Sequence, residues 1–131
     1  MIGRKIQIIK NQDERGILTA VNQIPFKAKR MFFISDVPEN AVRGKHFSKS
    51  SQFLYAVVKG SCRVELDNGY EKECHDLSIG EGLLFSKNTW MELSDFKDDA
   101  ILCILADTEY RSSDYSENYE EFLGSVREKD V

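Results

Sequence analysis

Apolar and polar residues alternate along most of this chain, in short runs separated by turn-forming residues. A period of two is typical of strands with one buried face, and the runs recur about every ten residues. No helical period interrupts them before residue 110. The pattern therefore predicts an all-β protein, an antiparallel sandwich or small barrel. The predicted strands are residues 5–10, 17–21, 30–35, 41–47, 52–59, 61–67, 70–75, 83–85, 90–93 and 100–106.

Glycine-containing turns mark the ends of several predicted strands. Gly60 separates the strands at 52–59 and 61–67, and Asp67-Asn68-Gly69 has the composition of a tight hairpin. The run 100–106 (AILCILA) is continuously apolar, which favours a strand buried on both faces.

The end of the chain changes from strand spacing to helical spacing. Apolar side chains recur at Tyr115, Tyr119 and either Phe122 or Leu123, which predicts one short helix over residues 113–123. Gly124 would end this helix, and we expect residues 126–131 to fray. The candidate N-caps are Ser113, Asp114 and Ser116.

Length and charge narrow the class of protein. The 131 residues, of which 41% are hydrophobic, suffice for one domain over residues 1–131. The net charge is -4, and acidic and basic residues are interspersed, so we expect no nucleic-acid partner. No apolar run approaches the roughly 18 residues of a membrane span. The polar N-terminal segment lacks the features of a signal peptide, so we expect a cytoplasmic protein without membrane contact.

The cysteines and the second histidine give no sign of a site. Cys62, Cys74 and Cys103 form no CxxC spacing and leave one cysteine unpaired in any pairing. We therefore expect three reduced, packed thiols. His75 lies among acidic residues beside a predicted turn, and we expect it to be exposed and without a role.

The stretch Arg43–Gly60 (RGKHFSKSSQFLYAVVKG) joins candidate chemistry to a buried strand. A small barrel with a histidine on an early inner strand suggests a cupin. The metal ligands of that superfamily would fall at His46, Ser48 and Gln52. Serine and glutamine are poor ligands for a divalent transition metal, so the sequence predicts no bound metal.

Longer strings resemble one enzyme family. They are RGKHFSKSSQFLYAVVKGSCRVELDNG, GLLFSKNTWMELSDF and ILCILADTEYRSSDYSENYEEFL. Together they make residues 15–123 similar to the sugar 3,4-ketoisomerases, enzymes with a cupin or jelly-roll fold that act on dTDP-4-keto-6-deoxyglucose. Members also form the C-terminal part of some bifunctional sugar acyltransferases. The resemblance implies a cupin jelly roll with a short C-terminal helix.

The resemblance also implies proton-transfer chemistry without a metal or organic cofactor. A base removes the hydrogen at C3 of the 4-keto sugar, and the enediol is then protonated at C4. Histidine suits both steps because its pKa lies near neutrality. The family further implies a dTDP-linked sugar as ligand, a homodimer in which a strand is shared between subunits, and a place in deoxysugar and lipopolysaccharide biosynthesis.

Three elements of the family pattern are changed in this chain. The family carries Arg-Gly-x-His-Ala-His, whereas His46 is followed here by Ser48, whose hydroxyl is no base at neutral pH. Adjacent tyrosines of the family are replaced by Phe32 and Phe33, and a histidine or arginine after the tryptophan is replaced by Met91. The candidate catalytic residues are therefore His46 and Ser48, with half of the acid–base pair replaced.

Eight further positions are candidates for binding the substrate. Cationic groups suit a diphosphate, the tryptophan offers a stacking face, and the glutamate could orient His46. These candidates are Arg43, Arg30, Gln52, Trp90, Glu92, Phe33, Lys87 and Met91.

Three functions are consistent with these residues. The first is a nucleotide-sugar isomerase that uses His46 as its single base. The second is a cupin that binds a nucleotide sugar without chemistry, as a binding protein or an accessory subunit. The third is a related reaction on a differently oxidised or substituted sugar. We favour the two enzymatic hypotheses.

Overall fold

The computed structural model describes residues 1–127, which form mostly antiparallel strands and one C-terminal helix. This confirms the predicted all-β class. The strands are β1 (Gly3–Gln7), β2 (Ile9–Asp13), β3 (Gly16–Ala20), β4 (Arg30–Ile34), β5 (Arg43–Ser48), β6 (Phe53–Asp67), β7 (Lys72–Ser78), β8 (Glu81–Phe85), β9 (Trp90–Ala106) and β10 (Tyr115–Ser116); a 3-10 helix covers Ser112–Asp114, and helix α1 covers Tyr119–Arg127.

Strands β6 and β9 are long and each replaces two predicted strands. The prediction that Gly60 ends a strand was wrong, because β6 continues through it with shifts of register against β9. Gly60 has a φ of +68°, and a Cβ there would lie 2.2 Å from the carbonyl oxygen of Lys97. Only glycine allows this close approach, so Gly60 bends the strand instead of ending it.

The bend lets the two long strands contribute to two layers. The first half of β6 lies between β8 and the end of β9, whereas its second half lies between β7 and the start of β9. Strands β4 and β5 then pair with opposite ends of β9. Apolar side chains from both layers pack into one core, which the hydrophobic effect stabilises. The core includes Tyr55, Val57, Val64, Leu66, Leu93, Leu102 and Ile104.

The C-terminal helix begins and ends later than predicted. Residues 115 and 116 form β10, which pairs with Ser48 and Phe47 of β5, so they are not helical. The helix is capped by Asn118, whose Oδ1 accepts a hydrogen bond from the backbone N–H of Glu121 at 3.0 Å. It continues through Gly124. Residues 128–131 of the predicted frayed end lie outside the described residues.

Helix α1 covers the outer face of strands β5 and β9. Its Phe122 is fully buried against Phe47 and Trp90, and we call these three residues the outer cluster. The Trp90 ring lies 5.0 Å from that of Tyr119 and 5.8 Å from that of Phe122. The outer cluster therefore fixes the helix to the sheet.

Two smaller expectations need correction. Cys62 and Cys103 are buried free thiols as predicted, but Cys74 is exposed because alternation on β7 directs it outward. His75 is half-buried, and its Nε2 lies 3.0 Å from Oε1 of Glu73. No helix within residues 1–127 is long and apolar enough to cross a membrane.

Candidate active site

The Arg-Gly-Lys-His turn forms a bulge that decides which way His46 points. Gly44 pairs with Glu92 and His46 with Met91, so Lys45 is an extra residue on β5. Gly44 and Lys45 both have positive φ, +83° and +55°. If Lys45 were paired regularly with Met91, His46 would lie opposite Trp90, on the outer face. The bulge instead places it opposite Met91, on the inner face.

The inner face at this end of the molecule encloses a cavity of about 630 Å³. Its walls come from β4, β5, β6 and β9, and from the segment that follows β9. Most lining side chains are apolar or aromatic, which suits a small-molecule site. The lining residues include Arg30, Phe32, Arg43, Gly44, His46, Phe53, Tyr55, Met91, Leu93, Ile104, Tyr110, Tyr115 and Glu117.

His46 is partly buried in this cavity and has the properties of a base. Its Nδ1 is buried and has no hydrogen-bond partner among the described residues. Burial lowers the pKa of His46 below its ordinary value, an effect that Glu117 opposes and Arg43 reinforces. The imidazole is therefore neutral at pH 7 and able to accept a proton.

Arg30 lies in the same cavity, surrounded by aromatic rings. Its Nη2 donates a hydrogen bond to the hydroxyl of Tyr115 at 2.7 Å. Four ring centroids lie 5.2–5.9 Å from its guanidinium carbon, those of Phe32, Phe53, Tyr110 and Tyr115. The buried Nε of Arg30 has no partner among the described residues. Buried polar atoms are normally paired, so this donor is available for a ligand.

Other predicted binding residues occupy the cavity in different ways. Met91 is buried in its wall, and Arg43 lies on β5 among the lining residues with its side chain exposed. Phe33 is 56% exposed because alternation on β4 directs Phe32 inward instead. Phe33 therefore contributes only to the rim.

Ser48 is two positions from His46 but is not part of the cavity wall. Its hydroxyl, with those of Ser50 and Ser51, donates to the carboxylate of Asp114, and we call these four residues the serine cluster. Ser48 Oγ also accepts the backbone N–H of Ser51 at 2.9 Å. Burial acts to raise the pKa of Asp114, but the serine hydrogen bonds outweigh it and hold that pKa below its ordinary value. The hydroxyl of Ser48 is thus occupied by a structural network.

Four more predicted residues lie away from the cavity. Trp90 is 6% exposed within the outer cluster, and its Nε1 donates to Glu92 at 3.3 Å, so these two face away from His46. The backbone N–H of Gln52 donates to Asp107 at 2.8 Å, outside the cavity. Lys87 is exposed in the turn after β8. The family resemblance predicted these residues in one site with His46, but the structure places them outside the cavity. For Trp90 and Glu92 the reason is that alternate residues of a strand point to opposite faces.

Sequence reasoning missed four residues of the cavity wall: Tyr55, Tyr110, Tyr115 and Glu117. Tyr115 was interpreted as a helix contact because of its spacing to Tyr119. Its presence in the Asp-Tyr string that carried the family resemblance was the available signal. Tyr55 stood in a run that was interpreted only as buried strand, and burial raises its pKa.

Metal ligands are not grouped in the described part of the chain. Within residues 1–127, no three His, Cys, Asp or Glu side chains are arranged to hold a metal ion.

Comparison with known proteins relates the chain to sugar 3,4-ketoisomerases. The family described as WxcM-like, C-terminal, matches residues 3–127. This chain belongs to that family. A relative from Aneurinibacillus thermoaerophilus, TDP-4-oxo-6-deoxy-alpha-D-glucose-3,4-oxoisomerase, is 34% identical over 126 residues, which cover 93% of this chain and 91% of the relative. The predicted family resemblance is confirmed.

Solved structures of ketoisomerases share the fold of this family member. The 3,4-ketoisomerase QdtA from Thermoanaerobacterium thermosaccharolyticum, a histidine-to-asparagine mutant in complex with TDP-4-keto-6-deoxyglucose, has a TM-score of 0.89 at 26% identity, over 98% of this chain and 96% of that one. The TDP-quinovose 3,4-ketoisomerase WlaRB from Campylobacter jejuni has a TM-score of 0.82 at 33% identity, over 92% and 96%. The cupin prediction is confirmed by these neighbours.

Proposed function

We propose that this chain is a 3,4-ketoisomerase of a TDP-4-keto-6-deoxyhexose in deoxysugar biosynthesis, with His46 as its base. One observation carries the proposal: His46 lies in an aromatic-lined cavity with a buried Nδ1 that no described residue satisfies. Relatives that share the fold and about a third of the sequence act on such sugars.

The chemistry follows from the state of His46. The carbonyl at C4 acidifies the hydrogen at C3, and a neutral imidazole can remove it. The enediolate that results carries negative charge on the sugar oxygens. A partly buried guanidinium stabilises such charge more strongly in an apolar cavity than in water, which is the role we assign to Arg30. Arg43, which is exposed, is the candidate for the diphosphate.

Proton exchange in D2O tests this proposal. The protein is incubated with TDP-4-keto-6-deoxyglucose, and NMR follows deuterium entry at C3 and C4 and the appearance of a 3-keto product. We expect both for the natural sequence and neither for His46→Asn. His75→Asn is the matched control, because it removes the other histidine, outside the cavity, and is expected to leave exchange intact.

The second candidate is a cupin that binds the nucleotide sugar without isomerising it. The commitment of Ser48 to Asp114 favours it, because the second histidine position of the family then supplies no proton carrier. TDP binding by calorimetry together with absence of exchange at C3 would support this function and contradict the isomerase.

We also propose that the chain forms a homodimer. Within residues 1–127, strand β4 pairs with β9 alone, and it directs Met31 outward with 60% exposure. The β2–β3 hairpin forms a separate two-stranded sheet with Leu18 58% exposed, and isolated hairpins are only marginally stable. Sedimentation equilibrium should give a dimer, and Leu18→Glu with Met31→Glu should weaken it. A monomeric natural sequence at micromolar concentration would contradict the proposal.

A further inference from the structure

The isomerisation requires two different hydrogens to move. The first is the carbon-bound hydrogen, which is removed from C3 and replaced by one at C4. The second is the oxygen-bound hydrogen, which is removed from the hydroxyl on C3 and replaced by one on the oxygen of C4. His46 can carry the hydrogen between the carbons, but it cannot serve the oxygens at the same time. The hydroxyl of Ser48 is hydrogen-bonded within the serine cluster and is not available to the sugar. Another group of the cavity therefore has to exchange protons with the sugar oxygens.

Tyr115 is placed to do this. Its ring meets that of His46 edge-on, with centroids 5.2 Å apart and an angle of 83° between the planes. Its hydroxyl accepts a hydrogen bond from Nη2 of Arg30 at 2.7 Å. Because the oxygen of the tyrosine receives this bond, its own hydrogen remains available to donate into the cavity.

The surroundings of Tyr115 adapt its hydroxyl to proton transfer. Burial raises the pKa of Tyr115, while the hydrogen bond and the charge of Arg30 act against that rise. Arg30 thus stabilises the phenolate that forms when the hydrogen is donated. The Nε of the same guanidinium, which has no partner within residues 1–127, is a further donor in the cavity, suited to the oxyanion of the sugar.

The backbone around Tyr115 is held rigidly. Tyr115 pairs with Ser48 in the short ladder between β10 and β5, so it is fixed to the strand that carries His46. The preceding residue, Asp114, accepts three hydroxyls of the serine cluster. Because the β10–β5 ladder and the serine cluster both fix the backbone here, the Tyr115 hydroxyl needs little change of position during the reaction. Phe32, at a position where the family has a tyrosine, has no hydroxyl to compete for this role.

We infer that Tyr115 is the second catalytic residue and carries the oxygen-bound proton, while His46 carries the carbon-bound one. This inference rests on the proposed isomerase function. As His46 removes the hydrogen from C3, Tyr115 donates its phenolic hydrogen to the oxygen on C4. The phenolate then takes the hydrogen from the hydroxyl on C3. The imidazolium of His46 returns its proton to C4, and both residues regain their starting states with no other reactant.

Tyr115→Phe tests the assignment because it keeps the ring that contacts His46. In D2O, the natural sequence is expected to form the 3-keto product faster than deuterium enters C3 of the recovered substrate. In Tyr115→Phe, we expect product formation to fall about 100-fold or more. Because the enediolate then returns to substrate more often than it goes forward, the ratio of C3 exchange to product should rise at least about tenfold.

The controls separate the possible failures. Tyr70→Phe removes the hydroxyl of a surface tyrosine outside the cavity and is expected to behave as the natural sequence. TDP binding and thermal unfolding establish that Tyr115→Phe is folded. Product formation within about threefold of the natural sequence, or an equal loss of exchange and product, would overturn the assignment to Tyr115. Absence of both in the natural sequence would instead overturn the isomerase function itself.

Discussion

His46 and Ser48 lie two positions apart on strand β5, yet their polar atoms are in opposite conditions. The Nδ1 of His46 is buried without a partner among the described residues, whereas the hydroxyl of Ser48 donates to Asp114 and accepts from a backbone amide. Arg30 and Trp90 show the same contrast, since the Nε of Arg30 has no partner in the described part of the chain and the Nε1 of Trp90 donates to Glu92. Buried groups that the protein leaves unsatisfied indicate the ligand site, and satisfied ones indicate structure.

The largest expected change tests whether Trp90, whose Nε1 is satisfied, has a structural role. Trp90→Ala removes the centre of the outer cluster, and loss of such a buried aromatic costs about 3–5 kcal/mol of unfolding free energy. Urea denaturation measures this loss, and calorimetry on the folded protein at low temperature measures TDP affinity, which should be unchanged. Lost affinity with unchanged stability would instead make Trp90 a binding residue.

Arg30→Met tests whether Arg30, whose Nε has no partner among the described residues, acts on the substrate. The variant retains an apolar side chain among the aromatic rings but removes the guanidinium and all of its N–H donors, Nε and Nη2 among them. We expect kcat to fall about 100-fold, a typical effect of losing donors to a developing oxyanion. Steady-state kinetics on the 4-keto sugar measure it. Arg111→Met, at an exposed arginine outside the cavity, is the matched control, and equal losses in the two variants would contradict the role of Arg30.

Ser48→Ala should affect stability more than activity. It deletes one hydrogen bond to Asp114 and one from the backbone N–H of Ser51, which costs about 1–2 kcal/mol. Denaturation curves measure this cost, and Ser113→Ala provides a comparison at an exposed serine beside Asp114. If kcat falls strongly in Ser48→Ala while stability stays unchanged, Ser48 is catalytic after all.

The smallest expected effect is on pH dependence. Burial lowers the pKa of His46 below 6.5, so the folded protein binds its proton less readily than the unfolded chain does. The contribution of neutral His46 to the free energy of unfolding is fully present above pH 6.5. It is lost as the pH falls through the pKa that His46 has in the folded protein. The acid limb of kcat/KM should likewise lie below pH 6.5. An acid limb above that pH would show that the cavity favours the charged imidazole.

The fold was largely predictable because the alternation of apolar and polar residues shows which face of each strand is buried. Hydrophobic periodicity located nearly every strand, but it divided β6 at Gly60 because glycine usually interrupts a strand. Whether a glycine bends or ends a strand depends on the partner that approaches it. Here that partner is the carbonyl of Lys97, 37 positions further along the chain.

The site was predictable only in part. His46 was predicted from the local signature of the Arg-Gly-Lys-His string, and Arg30 and Arg43 were predicted from their charge; all three line the cavity. Trp90 was assigned to the cavity although alternation on β9 places it on the opposite face from Met91. Tyr115 was missed because its partners, Arg30 and His46, are 85 and 69 positions away, and spacing to Tyr119 imitated a helix.

The bulge at Lys45 gives backbone register a chemical meaning. A homologue with the same Arg-Gly-x-His string but a regular, unbulged pairing of β5 with β9 would keep every residue type of the site and still have no base in its cavity, since the histidine would lie opposite Trp90 and face helix α1. In comparing members of this family, the residue string therefore identifies a catalyst only where the bulge is also present.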